Sequence, residues 1–329
     1  MLSRPPESIQ QIALLRLSAI GDVTLVAGII PALQQHFPHA TLHWITTPAC
    51  HELLASLVQD VNFILIDKPK SPRAWWRARQ QLRHLAPDVL LAMQASLSAN
   101  CLYPLIRAPI KLGFDRTRAR DGHRHVVTHQ IDAHDEHLMD GFLRFARALG
   151  VPAPTASWSQ QHATRDINWV NTTLPSPQRW ICLHPKASQC ERTWSCENYV
   201  KLIQAMINRF NLNVVITGGP STDEVHFNQR IANTLPARCL NLTGQLSLPR
   251  LRALFAHVDA VIAPDTAAVH LATSVNTPVV GLYAVANPLL TGPYQAHDHS
   301  VNRYPDAINT FHNASTPPSW HTRVHHPSA

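Results

Sequence analysis

The sequence lacks the features of a secreted or membrane-spanning chain. Residues 1–11 contain no apolar stretch after their first charge, so they do not form a signal peptide. No window reaches the roughly 20 apolar residues that a membrane-spanning helix needs. The six cysteines include no C-x-x-C pair, which predicts reduced thiols. Together these absences predict a cytoplasmic protein that is at most peripheral to a membrane.

Motifs for several ligand classes are also missing. The sequence has no G-x-G-x-x-G dinucleotide fingerprint and no helix-turn-helix, zinc-finger or aromatic RNA-binding signature. The 21 histidines are spread out without a compact ligand spacing, so neither a metal site nor a cofactor is predicted. We expect His123, His125 and His129, the closest approach to a cluster, to add pH-dependent positive charge to a basic loop.

Acidic residues are in the minority, because 28 Lys and Arg stand against 21 Asp and Glu and give a formal charge of +7. The excess predicts affinity for anions and leaves nucleic acid, acidic lipid and phosphorylated sugar open. Basic residues concentrate in the first half of the chain, with Trp75 and Trp76 among them. They are Lys68, Lys70, Arg73, Arg77, Arg79, Arg83, Arg116, Arg118, Arg120 and Arg124. We interpret this band as a platform for a ligand rich in carboxylates or phosphates, with the tryptophans at a membrane interface. A solvated helix face is the alternative.

Short apolar runs alternate with turns and helical patterns along the whole sequence, which favours parallel sheets covered by helices. In the first half the predicted strands are 12–17, 41–45, 62–66 and 88–93, and the predicted helices are 23–36, 48–57, 73–85 and 135–149. In the second half the predicted strands are 180–184, 213–217, 240–242, 260–263 and 278–283, and the predicted helices are 198–210, 223–235, 248–256 and 266–274.

A chain of 329 residues exceeds the size at which single cores stop growing, about 250–300 residues, so two domains are expected. The similar halves predict an α/β fold with two Rossmann-like domains facing each other across a cleft. Pro, Ser, Thr and Gln interrupt the helical period after residue 150, which predicts a linker. The expected boundaries are a first domain at 1–160, a linker at 161–178, a second domain at 179–295 and a polar tail at 296–329 that runs along the surface.

The segment 18–22, Ser-Ala-Ile-Gly-Asp, follows the first predicted strand. Ligands of open α/β sheets bind outside such strand ends. Gly21 permits a tight turn, and Asp22 would project near the helix start as a general base. Capping of the helix by Asp22 is an equally weighted interpretation, because Asp is favoured at that position.

A second strand end carries groups suited to a diphosphate. Asp265 and Thr266 follow the strand 260–263 and begin a helix whose next side chains, Ala267 and Ala268, are small. Exposed amides and the helix dipole would bind phosphate there. Ordinary helix capping is the alternative.

The segment after the strand 180–184 offers further groups to the same ligand. Ser188 supplies a hydroxyl, and Lys186 and Arg192 supply positive charge for a leaving diphosphate. A solvated loop is the alternative.

Gly218, Gly219 and Pro220 end the strand 213–217, with Asp223 and Glu224 just beyond. A carboxylate at this position could accept hydrogen bonds from ribose hydroxyls, as acids do in nucleotide-binding folds. A helix N-terminal acid is the alternative.

Taken together, three segments resemble the ADP-heptose:lipopolysaccharide heptosyltransferase family, glycosyltransferase family 9. They are 18–22, 184–194 with its His-Pro-Lys-Ala-Ser and Arg-Thr-Trp sequences, and 265–270 with Asp-Thr and His. Their order and spacing match over nearly the whole chain. The closing stretch 320–327, Trp-His-Thr-Arg-Val-His-His-Pro, is similar to a C-terminal signature of some members.

The resemblance implies the GT-B fold and a reaction that needs no metal. It implies that L-glycero-D-manno-heptose is transferred from ADP-heptose, with inversion, to the inner core of lipopolysaccharide. The acceptor sugar would be Kdo or heptose. It implies that Asp22 is the catalytic base and that Arg192 neutralises the diphosphate. The predicted donor-binding residues are His184, Ala187, Ser188, Gly218, Gly219, Asp223, Glu224, Asp265, Thr266, Ala267, Ala268 and His270. The residues predicted to bind the anionic acceptor are Ser18, Gly21, Lys68, Lys70, Arg73, Arg77, Arg116 and Arg120.

The sequence departs from the family at Lys186 and Ala267, where Gly is frequent, and at Ala268, where Pro is frequent. Ala is still small, so binding by backbone amides is expected to survive. Relatives usually continue with a further helix that ties the domains together, whereas this sequence stops at Ala329, so weaker coupling is expected. The alternatives are a related GT-B transferase with another nucleotide sugar or glycan acceptor, and a non-catalytic nucleotide-sugar- or nucleic-acid-binding protein.

Overall fold

The structure, a computed structural model, describes residues 6–235 and 238–324. It divides into two compact units, Met1–Ser159 and Gln160–Ala329, called the first and second unit below. No helix in the described part of the chain combines the length and apolarity that crossing a bilayer requires. His325, His326 and Pro327 of the closing stretch lie outside the described residues.

The first unit is built on a 6-stranded, all-parallel sheet in the order β3-β2-β1-β4-β5-β6. Its strands are β1 (Gln11–Leu15), β2 (Thr41–Thr46), β3 (Val61–Leu65), β4 (Val89–Ala92), β5 (Ile110–Gly113) and β6 (His129–Gln130). The apolar residues of β1 and β4 are completely buried, as strands covered on both faces require. The strand order reverses between β1 and β4, and ligands of such sheets bind at this topological switch point.

The helices of the first unit follow its strands in the alternation that the sequence predicts. They are α1 (Ile20–Ala27), α2 (Ile30–His36), α3 (Pro48–Leu57), α4 (Pro72–Leu82), α5 (Leu97–Asn100) and α6 (Leu138–Ala148). The predicted helix 23–36 is divided into α1 and α2. The division falls at Gly28, where the indole of Trp158 packs so closely that a Cβ would lie 2.7 Å from its Cε2 atom.

The second unit repeats the same architecture, with a 6-stranded parallel sheet in the order β12-β11-β10-β7-β8-β9. Its strands are β7 (Trp180–Leu183), β8 (Asn213–Ile216), β9 (Cys239–Asn241), β10 (Ala260–Pro264), β11 (Val279–Tyr283) and β12 (Val301–Asn302). Its helices are α7 (Thr164–Thr173), α8 (Cys196–Phe210), α9 (Thr222–Thr234), α10 (Leu248–His257), α11 (Ala267–Thr273), α12 (Pro288–Thr291) and α13 (Tyr304–His312). Counted from its own first strand, the order is that of the first unit, so its switch point lies between β7 and β10. The predicted α/β class with two Rossmann-like domains is confirmed.

The segment 161–178 differs from the predicted linker because it contains α7. Val170 of this helix is buried, and the buried Asp166 forms an ion pair with Arg250 of α10 at 3.2 Å. The helix therefore packs into the second unit. The Thr- and Asn-rich sequence of α7 does not predict a helix, because tertiary contacts stabilise α7 and it has no strong apolar period.

The segment 296–329 also differs from the predicted surface tail. It contributes β12, which pairs with β11, and the helix α13. Tyr304, Ile308 and Val324 form a small buried cluster. The segment is therefore anchored to the second unit by strand pairing and by apolar packing.

Candidate active site

Asp22 lies in the first turn of α1, just beyond the switch point between β1 and β4, with Ser18 partly buried and Gly21 buried beside it. Its Oδ2 atom forms an ion pair with the guanidinium of Arg16 and accepts a hydrogen bond from the amide of Ala19 at 3.3 Å. Ala19, not Asp22, is the N-cap residue of α1, so the predicted N-cap position of Asp22 is wrong; Asp22 is the third helical residue and its carboxylate accepts the N-cap amide instead. The side chain of Asp22 is 28% exposed, and its Oδ1 atom has no hydrogen-bond or ion-pair partner among the described residues. One oxygen caps the helix and the other can accept a proton.

The segment between β1 and α1 is held by both strands that flank β1. Leu17 donates its amide to Gln94 Oε1, beyond β4, at 2.8 Å, and Thr47, beyond β2, donates its hydroxyl to the carbonyl of Leu17 at 2.9 Å. The indole of Trp44 in β2 donates to the carbonyl of Arg16 at 3.2 Å. These bonds fix the backbone that carries Asp22. Sequence reasoning missed them because it does not reveal which strands lie next to β1.

In the second unit, Arg192 links the two strands that flank the switch point. It ends a short 3-10 turn after β7, and its Nη1 atom lies 3.2 Å from Asp265 Oδ2 and donates to the carbonyl of Asp265 at 3.3 Å, beyond β10. The two side chains are only 12% and 9% exposed. Burial lowers the pKa of Arg192, the charge of Arg323 adds to the shift, and Asp265 opposes it. Arginine remains a cation at physiological pH, so this is a fixed positive charge.

The helix start that was predicted to bind phosphate adjoins this arginine. Thr266 is the extended residue before α11, and its hydroxyl has no protein hydrogen-bond partner among the described residues. The Nε atom of Arg192 likewise lacks a hydrogen-bond partner in the described part of the chain. Ala267 and Ala268 begin the helix and add little bulk, and the buried His270 follows one turn later. A hydroxyl, a cation and a helix N-terminus therefore lie together, as anion binding requires.

His184 follows β7 and contacts the hydroxyl of Thr217, after β8, with Nδ1 and Oγ1 3.0 Å apart. Burial lowers the pKa of His184 to about 4, so the ring is neutral at pH 7 and adds no charge to the site. The amide of Ala187 donates to the hydroxyl of Thr193 at 3.1 Å, while Ser188 is exposed. Thr217 was missed by sequence reasoning, although a hydroxyl residue at the end of a predicted strand was a usable signal, and Thr193 was noted only as part of the Arg-Thr-Trp sequence.

The two acidic residues near Gly218 and Gly219 differ in their surroundings. Glu224 lies against the glycine backbone, since a Cβ on Gly218 would be 2.6 Å from its Oε1 and one on Gly219 would be 3.0 Å from its Oε2. Asp223 instead forms an ion pair with Lys186 and has a side chain that is 82% exposed. Glu224 is therefore the better placed of the two for a ligand bound over the glycines.

Arg116 and Arg120 line a cavity of about 350 Å³ in the loop after β5, together with Arg124 and His125. All four side chains are exposed, and Asp121 is an acidic residue of the same wall. Positive charge concentrated in a concave wall favours a polyanionic ligand.

A buried ion pair organises the start of this loop. Burial alone would raise the pKa of Asp115, but hydrogen bonds from Thr117 and Arg118 and the charge of Arg118 outweigh it, so the pKa is lowered. Arg118 also lies over the ring of Phe114, with its Cζ 5.5 Å from the centroid. Arg118 is therefore committed to the loop itself, and the cavity-lining arginines remain for a ligand.

The expectation that His123 adds positive charge is wrong. Its Nε2 accepts the amide of Phe114 at 3.1 Å, and its Nδ1 lies 2.8 Å from the Oδ1 of Asn100, to which it must donate. Burial lowers the pKa of His123 to about 4, so it is neutral at pH 7. His125 and His129 are exposed, as the sequence predicts for a basic loop.

The second basic group follows β3 and continues on α4. Trp75, Ala78 and Leu82 of α4 pack toward the core, while Trp76 on the other face is 62% exposed. Exposed cations surround it at Lys68, Lys70, Arg73, Arg77, Arg79 and Arg83. Three strands of the sheet separate β3 from β5, and the lining of the cavity at Arg116 and Arg120 includes no residue of this second group.

Two Rossmann-like units, the first with an anchored carboxylate and the second with an arginine beside a helix start, define a glycosyltransferase of the GT-B class. The sequence profile of glycosyltransferase family 9 (heptosyltransferase) matches residues 75–321. The chain belongs to this family.

Known proteins support the assignment. The chain is 30% identical over 320 residues to the lipopolysaccharide core heptosyltransferase OpsX of Haemophilus influenzae, covering 97% of this chain and 92% of that protein. Among solved structures, a family 9 glycosyltransferase of Veillonella parvula superposes with a TM-score of 0.79 at 18% identity, covering 95% of this chain and 92% of that one. The heptosyltransferase WaaC of Escherichia coli with ADP gives a TM-score of 0.72 at 19% identity, covering 88% and 92%. These similarities confirm the predicted family and fold.

Proposed function

We propose that this chain transfers L-glycero-D-manno-heptose from ADP-heptose, with inversion, onto Kdo or heptose in the inner core of lipopolysaccharide. The observation that carries the proposal is the placement of Arg192 beside Asp265 and the start of α11, in a chain of a heptosyltransferase family. A buried cation next to a helix N-terminus suits a diphosphate leaving group.

The proposed reaction is a single displacement. Asp22 takes the proton from the acceptor hydroxyl as that oxygen attacks the anomeric carbon of the donor. The bond from the anomeric carbon to the diphosphate oxygen breaks, and negative charge develops on the departing ADP. Arg192, Ser188, Thr266 and the first amides of α11 stabilise this charge.

The direct test is incubation of the purified protein with ADP-heptose and a Kdo-containing lipid acceptor, followed by mass spectrometry. A gain of one heptose unit supports the proposal. If the protein transfers a sugar from another nucleotide sugar in a panel and not heptose, it is a related GT-B transferase with a different donor. If it binds a nucleotide sugar but transfers it to no acceptor, it is a non-catalytic binding protein. Mass spectrometry of the core from a strain that lacks the protein then identifies the acceptor position.

Glu224 is proposed to accept hydrogen bonds from the ribose hydroxyls of the donor. Glu224→Gln should weaken ADP binding roughly tenfold or more, because hydrogen bonds to charged groups contribute about 1.5–3 kcal/mol. Calorimetry with ADP and 2′-deoxy-ADP measures the effect. The wild type should prefer ADP, and Glu224→Gln should lose most of that preference.

Asp223→Asn is the matched variant for this experiment, because Asp223 lies one residue away and pairs with Lys186. It should keep the preference for ADP over 2′-deoxy-ADP. If Asp223→Asn loses the preference and Glu224→Gln keeps it, the ribose partner is Asp223.

The protein is further proposed to act in the cytoplasm, bound peripherally at the inner face of the inner membrane. The exposed face of α4 supports this, because Arg73, Trp76 and Arg77 share it and the helix contains no acidic residue. Their spacing of three and four residues places them side by side. An amphipathic ring flanked by cations suits the interface of an anionic bilayer.

Removal of the positive charge of Arg73 and Arg77 should release the protein from anionic vesicles. Arg73→Gln with Arg77→Gln should lower the partition coefficient onto phosphatidylglycerol vesicles roughly tenfold or more, since each basic residue near such a surface contributes about 1 kcal/mol. Trp76→Ser should weaken binding further, and added salt should reduce it. Co-sedimentation measures each partition coefficient.

The pair Arg209 and Phe210 in the second unit gives a matched control. Phe210 is exposed and Arg209 lies over its ring, with Cζ 5.4 Å from the centroid, so Arg209→Gln with Phe210→Ser removes one cation and one ring, as Arg77→Gln with Trp76→Ser does on α4. Vesicle binding should persist in this control. An equal loss in both variants would show that α4 is not the membrane-facing element.

A further inference from the structure

Arg16 connects the base position to the strand on the other side of the switch point. Its guanidinium forms the ion pair with Oδ2 of Asp22, and its Nη1 atom donates to the carbonyl of Met93, beyond β4, at 2.7 Å. The guanidinium also lies over the ring of Phe142 in α6, with Cζ 5.7 Å from the centroid. One side chain thus contacts the end of β4 and the two helices α1 and α6.

This arrangement leaves Arg16 little freedom. Its own amide donates to the carbonyl of Ile45 at 3.2 Å, and Trp44 binds its carbonyl, so both ends of the residue are fixed. A planar guanidinium has a rigid fork of donors, so fixing one nitrogen on Met93 also fixes the direction of the others. The Oδ2 atom of Asp22 is therefore paired with a guanidinium that is itself held by Met93 and by the ring of Phe142.

Arg16 is poorly placed to bind the acceptor itself. Its side chain is only 13% exposed, less than half of the 28% exposure of Asp22. Its guanidinium hydrogen-bonds the carbonyl of Met93 and pairs with Asp22, both within the protein. Its effect on the reaction must therefore pass through the carboxylate that it holds.

We propose that Arg16 is a positioning residue, which binds Asp22 through Oδ2 and so directs Oδ1 toward the acceptor hydroxyl. This inference rests on the proposed role of Asp22 as the base. A carboxylate gripped at one oxygen cannot rotate freely about its Cβ–Cγ bond, so the other oxygen keeps one direction. Misplacement of a catalytic group by about 1 Å can cost a hundredfold in rate, which makes such a restraint effective.

A double-mutant cycle tests the inference. The proteins are the wild type, Arg16→Met, Asp22→Asn and the double variant, assayed for kcat and for the acceptor KM at saturating ADP-heptose. Arg16→Met should lower kcat roughly a hundredfold in the wild-type background, as expected for a misplaced base. In the Asp22→Asn background the same change should lower kcat less than about threefold, because two residues that act through one group are not additive. The acceptor KM should change little.

Two further variants separate positioning from folding. Arg16→Lys keeps the charge but lacks the fork, so it should recover part of kcat, and it replaces Arg16→Met in the cycle if that variant does not fold. Arg144→Met removes another arginine of the first unit, 17% exposed and bound to Glu136 Oε1 at 2.6 Å, and it should keep the wild-type kcat. Thermal unfolding of each protein confirms that folded enzyme is compared.

The outcomes distinguish the inference from the function on which it rests. The positioning role is overturned if Asp22→Asn is inactive but Arg16→Met turns over normally. It is also overturned if Arg16→Met lowers kcat equally in both backgrounds, or if only the acceptor KM rises. Near-normal turnover of Asp22→Asn refutes instead the role of Asp22 as the base, and no heptose transfer by the wild type refutes the proposed function.

Discussion

Replacement of Asp22 by asparagine should lower kcat roughly a hundredfold or more, as loss of a general base typically does, while ADP affinity stays unchanged. Asparagine keeps the size of the side chain and can still accept the amide of Ala19 through its oxygen, so the start of α1 is preserved. It cannot take a proton from the acceptor hydroxyl. Steady-state kinetics with saturating donor and acceptor measure kcat, and calorimetry with ADP measures donor-site integrity.

Asp140→Asn is the control that separates catalysis from capping. Asp140 is also an acid in the first turn of a helix, α6 of the same unit, so its replacement likewise removes a negative charge from a helix start. If Asp22 acted only on its helix, both variants would lose a little stability and neither would lose turnover. Near-normal kcat in purified Asp22→Asn would therefore show that Asp22 is not the catalytic base.

Replacement of Arg192 by methionine should lower kcat roughly a hundredfold or more, comparable to the removal of one donor from an oxyanion site. ADP affinity should fall by a smaller factor, because the charge on the leaving diphosphate grows in the transition state and the arginine acts most strongly there. Arg192→Lys should retain part of the activity, because the lysine ammonium keeps the positive charge but lacks the several N–H donors of the guanidinium. Kinetics and ADP calorimetry on the same preparations separate the two effects.

Removing Arg192 also leaves the nearly buried Asp265 without its ion-pair partner, so stability must be measured alongside activity. Arg230→Met provides the control, because Arg230 forms an exposed ion pair with Glu197 at 3.2 Å in the same unit. It should leave kcat and ADP affinity unchanged. Equal kcat for Arg192→Met and the wild type would mean that another group neutralises the leaving diphosphate.

The sequence predicts the central strands and most helices of each unit, because these elements carry strong local signals. The apolar run at the start gives β1, and α3 has the predicted bounds since Pro48 is favoured in a first helical turn. β6 contains only two residues and has no comparable pattern. The helix α7 was missed because Asp166 is satisfied by Arg250, a partner that is 84 residues away in the sequence.

The candidate site was predictable to the extent that its residues follow strands. Asp265 stands directly after an apolar strand and Asp22 at the start of the helix that follows one, so their place near a ligand follows from the chain order. The sequence did not predict that Arg16 pairs with Asp22. The guanidinium is held by the carbonyl of Met93, and this contact depends on the pairing of β4 with β1, which the sequence does not reveal. Burial likewise decides the neutral state of His184, which no spacing of residues reveals.

The contact between Arg192 and Asp265 has a consequence for the catalytic cycle. Because a carboxylate of the protein already neutralises the arginine, an incoming diphosphate competes with an internal anion and gains only the difference between the two interactions. After the sugar has been transferred, the same carboxylate can recapture the guanidinium as ADP dissociates. If Arg192 binds the diphosphate as proposed, we expect this ion pair to ease the release of ADP, because the buried cation is not left unopposed when the nucleotide dissociates.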